Sequence, residues 1–269
     1  PPDNLFFLPG IEQIIPLEQY QQKPDMILLV DCSDLERAGA EAMIESWRDI
    51  PIAVIDHHDS ATPMGDLLWI KPAASATCEL IYELLKNLQI PLNKEIATCI
   101  YAGIVSDTGC FRYQNTTPEC FIYASDLLTY HIDTQLVRVQ LFECRTLASI
   151  KMIGTAMVSL EEVEPWLVMM KLTIADKQKY GARAQDCNNI INYALYKKGA
   201  EVALLFDEIE ENKVKVSFRS RDNYNVGKIA MALGGGGHVA AAGATMMCSL
   251  LECIAQVVET VKKEIKVND

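Results

Sequence analysis

The sequence has little positive charge and few long apolar runs. Lys and Arg total 24 against 36 Asp and Glu, which gives a formal net charge of -12. Long nucleic acid is held by Lys and Arg that neutralise phosphates, so this balance argues against such a partner but allows a small phosphate ligand held by a few local cations. No apolar run approaches the roughly 20 residues that a membrane helix needs, and we expect no membrane partner.

The nine cysteines include no C-x-x-C pair. A zinc ribbon and a disulfide framework are therefore both disfavoured, and the cysteines are typical of reduced thiols. Reduced thiols in this number lead us to expect a cytoplasmic protein, and the chain opens with no signal peptide or basic targeting stretch. The sequence leaves the oligomeric state open.

The first half of the chain alternates short apolar runs with helical periods. Strands are predicted over residues 26–30, 52–55 and 67–70, and helices over 35–47, 75–88 and 94–105. Continuous apolar strands joined by helices favour a parallel sheet that is covered on both faces.

The character of the sequence changes after about residue 163. Residues 118–163 look entirely helical. Beyond them we predict a strand at 166–173, a helix at 188–196, a hairpin formed by 200–208 and 213–219, and a last helix at 250–265. The prediction is an α/β chain with a parallel-sheet domain over 1–150 and a smaller α/β domain over 151–269.

The clearest chemical pattern is Asp56-His57-His58, which directly follows a predicted strand. Asp31 ends the strand before it, and Asp107 lies just beyond the apolar run 100–105. Ligands of parallel sheets gather at the carboxyl ends of the strands, and two carboxylates with an imidazole suit Mn²⁺ or a similar metal. The alternative is that these aspartates are ordinary helix caps and that the histidines are solvated.

A second pattern is a run of four glycines at 234–237, followed by His238. Glycine amides can approach an anion closely, and a helix that starts just after them would present its positive end to it. Arg219 and Arg221 lie shortly before the run and suit bidentate phosphate contacts. The alternative is a flexible loop.

Together these motifs resemble the DHH phosphoesterase superfamily, and more closely its nanoRNase and 3'-phosphoadenosine 5'-phosphate (pAp) phosphatase family. The similarity runs along essentially the whole chain. Its motifs are the segments 30–34, 56–58, 106–117, 219–220 and 234–243. The last two resemble the DHH-associated substrate-binding domain.

The resemblance implies a two-metal phosphoesterase that usually binds Mn²⁺. By this analogy Asp31 bridges the metals, and His57 and Asp107 bind one of them. His58 contacts the scissile phosphate, and Asp56 orients the imidazoles. The residues implied in substrate binding are Arg219, Ser220, Gly235, Gly236, Gly237, His238, Arg112 and Asn115.

The implied activity is hydrolysis of short oligoribonucleotides, pAp or linear dinucleotides, of the oligoribonuclease and 3'(2'),5'-bisphosphate nucleotidase type. Alternatives are a cyclic-dinucleotide phosphodiesterase, a single-strand exonuclease, which the acidic charge disfavours, and a degenerate homologue that binds nucleotide without catalysis.

One departure from the family concerns its first motif, His-x-x-x-Asp-x-Asp, which supplies the ligands of the other metal. This sequence has no His before His57. We expect that the motif lies in a segment upstream of residue 1; a truncation and a true loss are the alternatives. As printed, the chain offers one metal half-site.

Overall fold

The computed structural model describes residues 2–20, 22–32, 47, 49–58, 65–221, 224–237 and 239–266. They form two compact units, Pro1–Cys144 and Arg145–Asp269. Most of the helix predicted over 35–47 lies outside the described residues, and so does His238.

The first unit contains a three-stranded parallel sheet in the order β1-β2-β3. Its strands are β1 (Ile27–Val30), β2 (Ile52–Asp56) and β3 (Leu67–Ile70). In the central strand β2, residues 53–56 are all buried. The parallel sheet is as predicted, but burial on both faces is confined to this strand.

The flanking strands expose part of their apolar side chains. Val30 on β1 is 50% exposed and Leu67 on β3 is 69% exposed. This exposure shows that β1 and β3 are not covered on both faces as predicted, although β2 between them is buried.

Helices cover one side of this sheet and pack on one another. They are α1 (Thr77–Asn87), α2 (Lys94–Asp107), α3 (Pro118–Leu128) and α4 (Thr134–Arg138), with a π-helix at Val139–Glu143. Leu80 on α1 packs against Ile55 of β2, whereas Tyr82 faces a second core that it shares with Ile104 of α2 and Leu127 of α3. The apolar positions of α1 therefore link the sheet to the helical layer. Three short 3-10 helices precede β1, at Asp3–Leu5, Ile11–Gln13 and Leu17–Gln19.

The second unit contains a six-stranded mixed sheet in the order β4-β5-β6-β7-β9-β8. Only β5 and β6 pair in parallel. The strands are β4 (Glu161–Glu164), β5 (Leu167–Leu172), β6 (Val202–Glu210), β7 (Lys213–Ser220), β8 (Gly236–Gly237) and β9 (Ala241–Met246). The predicted hairpin is the antiparallel pair β6–β7.

Helices lie on both faces of the mixed sheet. They are α5 (Leu147–Val158), α6 (Ile174–Tyr180), α7 (Val226–Ala232) and α8 (Leu250–Lys266), with 3-10 helices at Ala184–Cys187 and Ile190–Tyr196. Phe206 and Phe218 pack under α8 on one face, and Val168 and Leu205 pack against α5 on the other. The buried strands alternate between these two cores because successive side chains point to opposite faces.

Two sequence predictions need correction here. Residues 118–163 are not all helical, because β4 begins at Glu161 and pairs antiparallel with β5. The helix predicted over 188–196 is a 3-10 helix that begins at Ile190. Across the part of the chain that the structure describes, no helix is long and apolar enough to span a membrane.

Candidate metal centre

Asp56 and His58 form a hydrogen-bonded pair where β2 ends. Asp56 is the last residue of β2 and is fully buried. Its Oδ1 accepts the backbone N–H of His58 at 3.0 Å and lies 2.7 Å from Nδ1 of the His58 ring. A carboxylate only accepts, so this contact assigns the ring proton to Nδ1 and fixes the orientation of the imidazole.

His57 is oriented by a backbone carbonyl. Its Nδ1 lies 3.2 Å from the carbonyl oxygen of Ala74, which can only accept, so Nδ1 carries the proton. Nε2 then presents its lone pair on the other side of the ring. It lies 3.7 Å from Asp31 Oδ1 and 3.7 Å from Asp107 Oδ2.

These separations match ligands that share one ion better than they match hydrogen bonds. A hydrogen bond requires about 2.7–3.2 Å. Two ligand atoms that each lie about 2.0–2.2 Å from one ion are roughly 3.0–3.6 Å apart. Asp31, His57 and His58 offer ligand atoms that all lie within 4.8 Å of one another.

Asp31 follows β1 on a left-handed backbone, with φ of 60°. Its N–H bonds to the carbonyl of Ile55, which continues the β1–β2 ladder, and its Oδ1 accepts the hydroxyl of Thr77 at 2.7 Å. Aspartate and asparagine adopt this conformation more readily than other non-glycine residues, because their short polar side chains can bond locally.

Asp107 is the last residue of helix α2. Burial raises the pKa of its carboxyl, and the nearby Asp31 raises it further, while His57 and His58 lower it. Asp31 is thus held close enough to disfavour the charged form of Asp107. A bound cation would relieve this repulsion.

The segment after Asp107 makes an unusual turn. Gly109, Cys110 and Phe111 all have left-handed backbones, with φ of 57°, 61° and 60°. A Cβ on Gly109 would lie 2.4 Å from the ring of Tyr113. Glycine adopts the left-handed backbone at no steric cost, and without a Cβ it leaves room for the half-exposed Tyr113 ring.

Two predicted substrate residues in this segment are bonded to their own unit. Nε of Arg112 donates to the carbonyl of Gly109 at 2.6 Å, and the guanidinium lies 5.9 Å from the centre of the Phe142 ring. Nδ2 of Asn115 donates to the carbonyls of Ser75 at 2.8 Å and Asp107 at 3.1 Å. Asn115 thus links two parts of the candidate site.

In the second unit, the side chains around the predicted phosphate site mostly bond to backbone. Ser220 is buried and its Oγ donates to the carbonyls of Tyr224 and Val239. Arg219 donates from Nη1 to the carbonyl of Phe218. Arg221 donates from Nε to Ala200 and from Nη2 to Leu195. The idea of an Arg pair available to phosphate is therefore wrong for Arg221, whose two contacts are structural.

The glycine run does not lead into a helix. It follows the end of α7, and the next regular element among the described residues is strand β9. A Cβ on Gly235 would lie 2.2 Å from the carbonyl oxygen of Gly243, and a Cβ on Gly237 would lie 2.5 Å from Cα of Ala242. The prediction of a helix N-terminus at this site is wrong, because the glycines allow close pairing of β8 with β9.

Sequence reasoning missed Thr77 and Glu79. Thr77 contacts Asp31 across 46 positions in the chain, and Glu79 is buried against Ser75. A local signal existed, since a Ser or Thr followed by an acidic residue just before an apolar helix is typical of helix starts. It could have indicated a helix start but not the long-range contact.

Aspartate and histidine side chains meet at the carboxyl ends of parallel strands, and a second unit is built on a mixed sheet. This defines a two-unit α/β protein with a candidate metal centre.

The chain is similar to known proteins over most of its length. The model of the DHH family, N-terminal domain, matches residues 4–104, and that of the DHHA1 domain matches residues 167–267. The bifunctional oligoribonuclease and PAP phosphatase NrnA of Thermus thermophilus is 31% identical over 267 residues, which are 98% of this chain and 79% of the relative. The protein of the same name from Bacillus subtilis is 31% identical over 251 residues, which cover 91% of this chain and 77% of the relative. The chain belongs to the DHH family.

A solved structure supports the fold. The crystal structure of an exopolyphosphatase-related protein from Bacteroides fragilis matches with a TM-score of 0.89 and 23% sequence identity. The match covers 98% of this chain and 82% of that one.

Proposed function

We propose that this chain is an Mn²⁺-dependent phosphohydrolase that cleaves very short oligoribonucleotides, pAp or linear dinucleotides. The observation that carries the proposal is the convergence of Asp31 and Asp107 on Nε2 of His57, each at 3.7 Å. The two relatives named as oligoribonuclease and PAP phosphatase support this choice of substrates.

The side chains fit a divalent cation of this type. One imidazole and two carboxylates form a mixed nitrogen and oxygen set, which suits Mn²⁺ better than a soft thiolate-binding metal. The Ala74 carbonyl accepts from Nδ1 of His57, which leaves Nε2 as the ring nitrogen that faces the two carboxylates. In the proposal Asp31, His57 and Asp107 hold the ion, which when bound supplies a Lewis acid for the phosphoryl group.

His58 and Asp56 have a different role in the proposal. Because the His58 ring is held through Nδ1 by Asp56, its Nε2 is assigned to the scissile phosphate. Asp56 stabilises the charge that the imidazole carries if it takes a proton. The pair thus positions the phosphate and can hold a proton beside it.

The second unit is proposed to bind the part of the substrate away from the reaction. Arg219, Gly236 and His238 are assigned to the distal phosphate or base, and Gly235 and Gly237 keep the backbone beside them in place. Ser220, Arg112 and Asn115 remain candidates, with the side-chain contacts described above. The division into domains near residue 150 belongs to this proposal.

The proposal also includes a cytoplasmic location. It includes no partner of long nucleic acid. All nine cysteines are among the described residues, and none of them forms a disulfide. Free thiols in this number suit a reducing compartment.

The test is an assay of the purified full-length protein on pAp and on a diribonucleotide. We expect hydrolysis of both that depends on added Mn²⁺ and is abolished by a chelator. Matched reactions with a long single-stranded RNA should be slow. Absence of Mn²⁺-dependent release of phosphate or mononucleotide would refute the proposal.

A further inference from the structure

The segment between β3 and α1 touches the candidate metal ligands directly. The carbonyl of Ala74 accepts from Nδ1 of His57 at 3.2 Å, and the hydroxyl of Thr77 donates to Oδ1 of Asp31 at 2.7 Å. His57 follows β2 and Asp31 follows β1, so one short segment orients groups from two different strands.

The same segment reaches the third candidate ligand through Asn115. One amide nitrogen, Nδ2, donates both to the carbonyl of Ser75 and to the backbone carbonyl of Asp107. The end of α2, where Asp107 lies, is thereby tied to the start of α1.

The segment itself is held rigidly by a buried carboxylate. Glu79 is 1% exposed, and its Oε2 accepts both the N–H and the hydroxyl of Ser75 at 2.7 Å. Helix α1 has Ala76 at its N-cap and gains no side-chain cap from it. The bonds of Glu79 and Ser75 therefore order the helix start.

Thr77 occupies the first helical position and is 4% exposed. Its hydroxyl donates away from the helix, to Asp31, whose side chain is 55% exposed. The same oxygen, Oδ1, lies 3.7 Å from Nε2 of His57 and 3.9 Å from Nδ1 of His58, both beyond hydrogen-bond distance. A buried hydroxyl that donates to one oxygen selects one orientation of that carboxylate.

We infer that Thr77 is a positioning residue that holds the Asp31 carboxylate in the orientation that binds the ion, an inference that rests on the proposed metal-dependent activity. The contribution is made before the ion arrives, because the hydroxyl orders a ligand that would otherwise rotate. Residues that orient metal ligands typically change metal affinity by about 10–100-fold when they are replaced.

The test compares Thr77→Val, which keeps the shape but removes the hydroxyl, with Thr77→Ser, which keeps the hydroxyl. Thr98→Val is a matched control in the same unit, because the Thr98 hydroxyl bonds only to the Lys94 carbonyl of its own helix in the described contacts. Mn²⁺ affinity is measured on the full-length protein by electron paramagnetic resonance of the free ion. Thermal unfolding is followed without metal.

We expect Thr77→Val to bind Mn²⁺ about 10–100-fold more weakly than the wild type, and Thr77→Ser and Thr98→Val to stay close to it. Raising the Mn²⁺ concentration should restore most of the kcat of Thr77→Val, which a general loss of structure would not allow. If Thr77→Val does not fold, Thr77→Ala replaces it, and Thr77→Ser should bind Mn²⁺ more tightly than Thr77→Ala.

A failure of the role of Thr77 and a failure of the proposed activity give different results. If the wild type hydrolyses substrate with Mn²⁺ but the variants without the hydroxyl bind Mn²⁺ equally well, the role of Thr77 is wrong and the proposed activity stands. If the wild type neither binds Mn²⁺ nor hydrolyses substrate, the proposed activity is wrong and this inference falls with it.

Discussion

The two units differ in how their polar side chains are used. In the first unit, Asp31, His57 and Asp107 come from three separate elements, and Nε2 of His57 lies 3.7 Å from an oxygen of each aspartate, farther than a hydrogen bond. In the second, Ser220 and Arg221 donate to backbone carbonyls of their own unit. We therefore expect the reactive site in the first unit, whereas Ser220 and Arg221 serve the fold of the second.

The largest effect is expected from His57→Ala, which should reduce turnover by about a thousandfold or more. Loss of a ligand removes the ion, and such an ion is worth several kcal/mol of transition-state stabilisation. The measurement is steady-state hydrolysis of pAp together with bound Mn²⁺. His131→Asn is the control, since His131 is exposed and Asn tolerates its left-handed backbone. Comparable turnover in both variants would contradict the role of His57.

Arg219→Ala tests whether the second unit contributes a binding side chain. We expect a loss of about 10–100-fold in kcat/KM, equivalent to about 1.5–3 kcal/mol for a charge-assisted bond. The loss should be larger for a dinucleotide with a 5'-phosphate than for one without it. Equal losses on the two substrates would mean that Arg219 does not contact that phosphate.

Arg221→Ala is the comparison variant for Arg219. Because its guanidinium bonds to the carbonyls of Ala200 and Leu195, its loss should lower the free energy of unfolding by about 1 kcal/mol and change kcat/KM little. Urea unfolding of both variants separates the two roles. A large loss of kcat/KM with unchanged stability for Arg221→Ala would contradict the structural assignment.

Gly235→Ala should destabilise the second unit by about 1–3 kcal/mol through overpacking. The added Cβ would lie 2.2 Å from a backbone oxygen, which cannot move without breaking the β8–β9 pair. Gly236→Ala is the matched control, because its Cβ would meet nothing within 4 Å. The two variants are compared by urea unfolding, and equal stability would contradict the packing role of the glycine run.

The smallest effect is expected at Asp126, away from the candidate site. The hydroxyl of Tyr82 and the ammonium of Lys86 lower the pKa of this carboxyl from 3.8, with burial opposing them. A lowered folded-state pKa contributes stability above the unfolded pKa that is lost as the pH falls through the folded value. Asp126→Asn should therefore flatten the acid limb, which is the fall in the free energy of unfolding below about pH 4. The pH dependence of hydrolysis above that pH should not change. An unchanged acid limb would contradict the shift.

Much of the first unit follows from its sequence. The apolar runs around 26–30 and 52–55 predict parallel strands, and residues that follow such strands share one edge of the sheet. Asp31 and His57 could therefore be expected to lie near each other. Asp107 is harder to place, because it ends a helix whose position depends on packing against α1 and α3.

The contacts that sequence reasoning missed are non-local or depend on backbone spacing. The Thr77–Asp31 bond joins residues 46 positions apart, and no periodicity contains that information. The glycine run was interpreted as an anion-binding turn. Glycine lets an anion approach the backbone closely, but it lets a neighbouring strand do the same. Only the partner strand shows that Gly235 and Gly237 approach β9.

The most direct test of the metal centre is anomalous diffraction from crystals of the full-length protein soaked in Mn²⁺. We predict a peak bounded by Nε2 of His57 and by carboxylate oxygens of Asp31 and Asp107, each at about 2.0–2.2 Å. Data on either side of the manganese absorption edge identify the ion. A peak that lacks Asp107 among its neighbours, or an empty site at saturating Mn²⁺, would contradict the account.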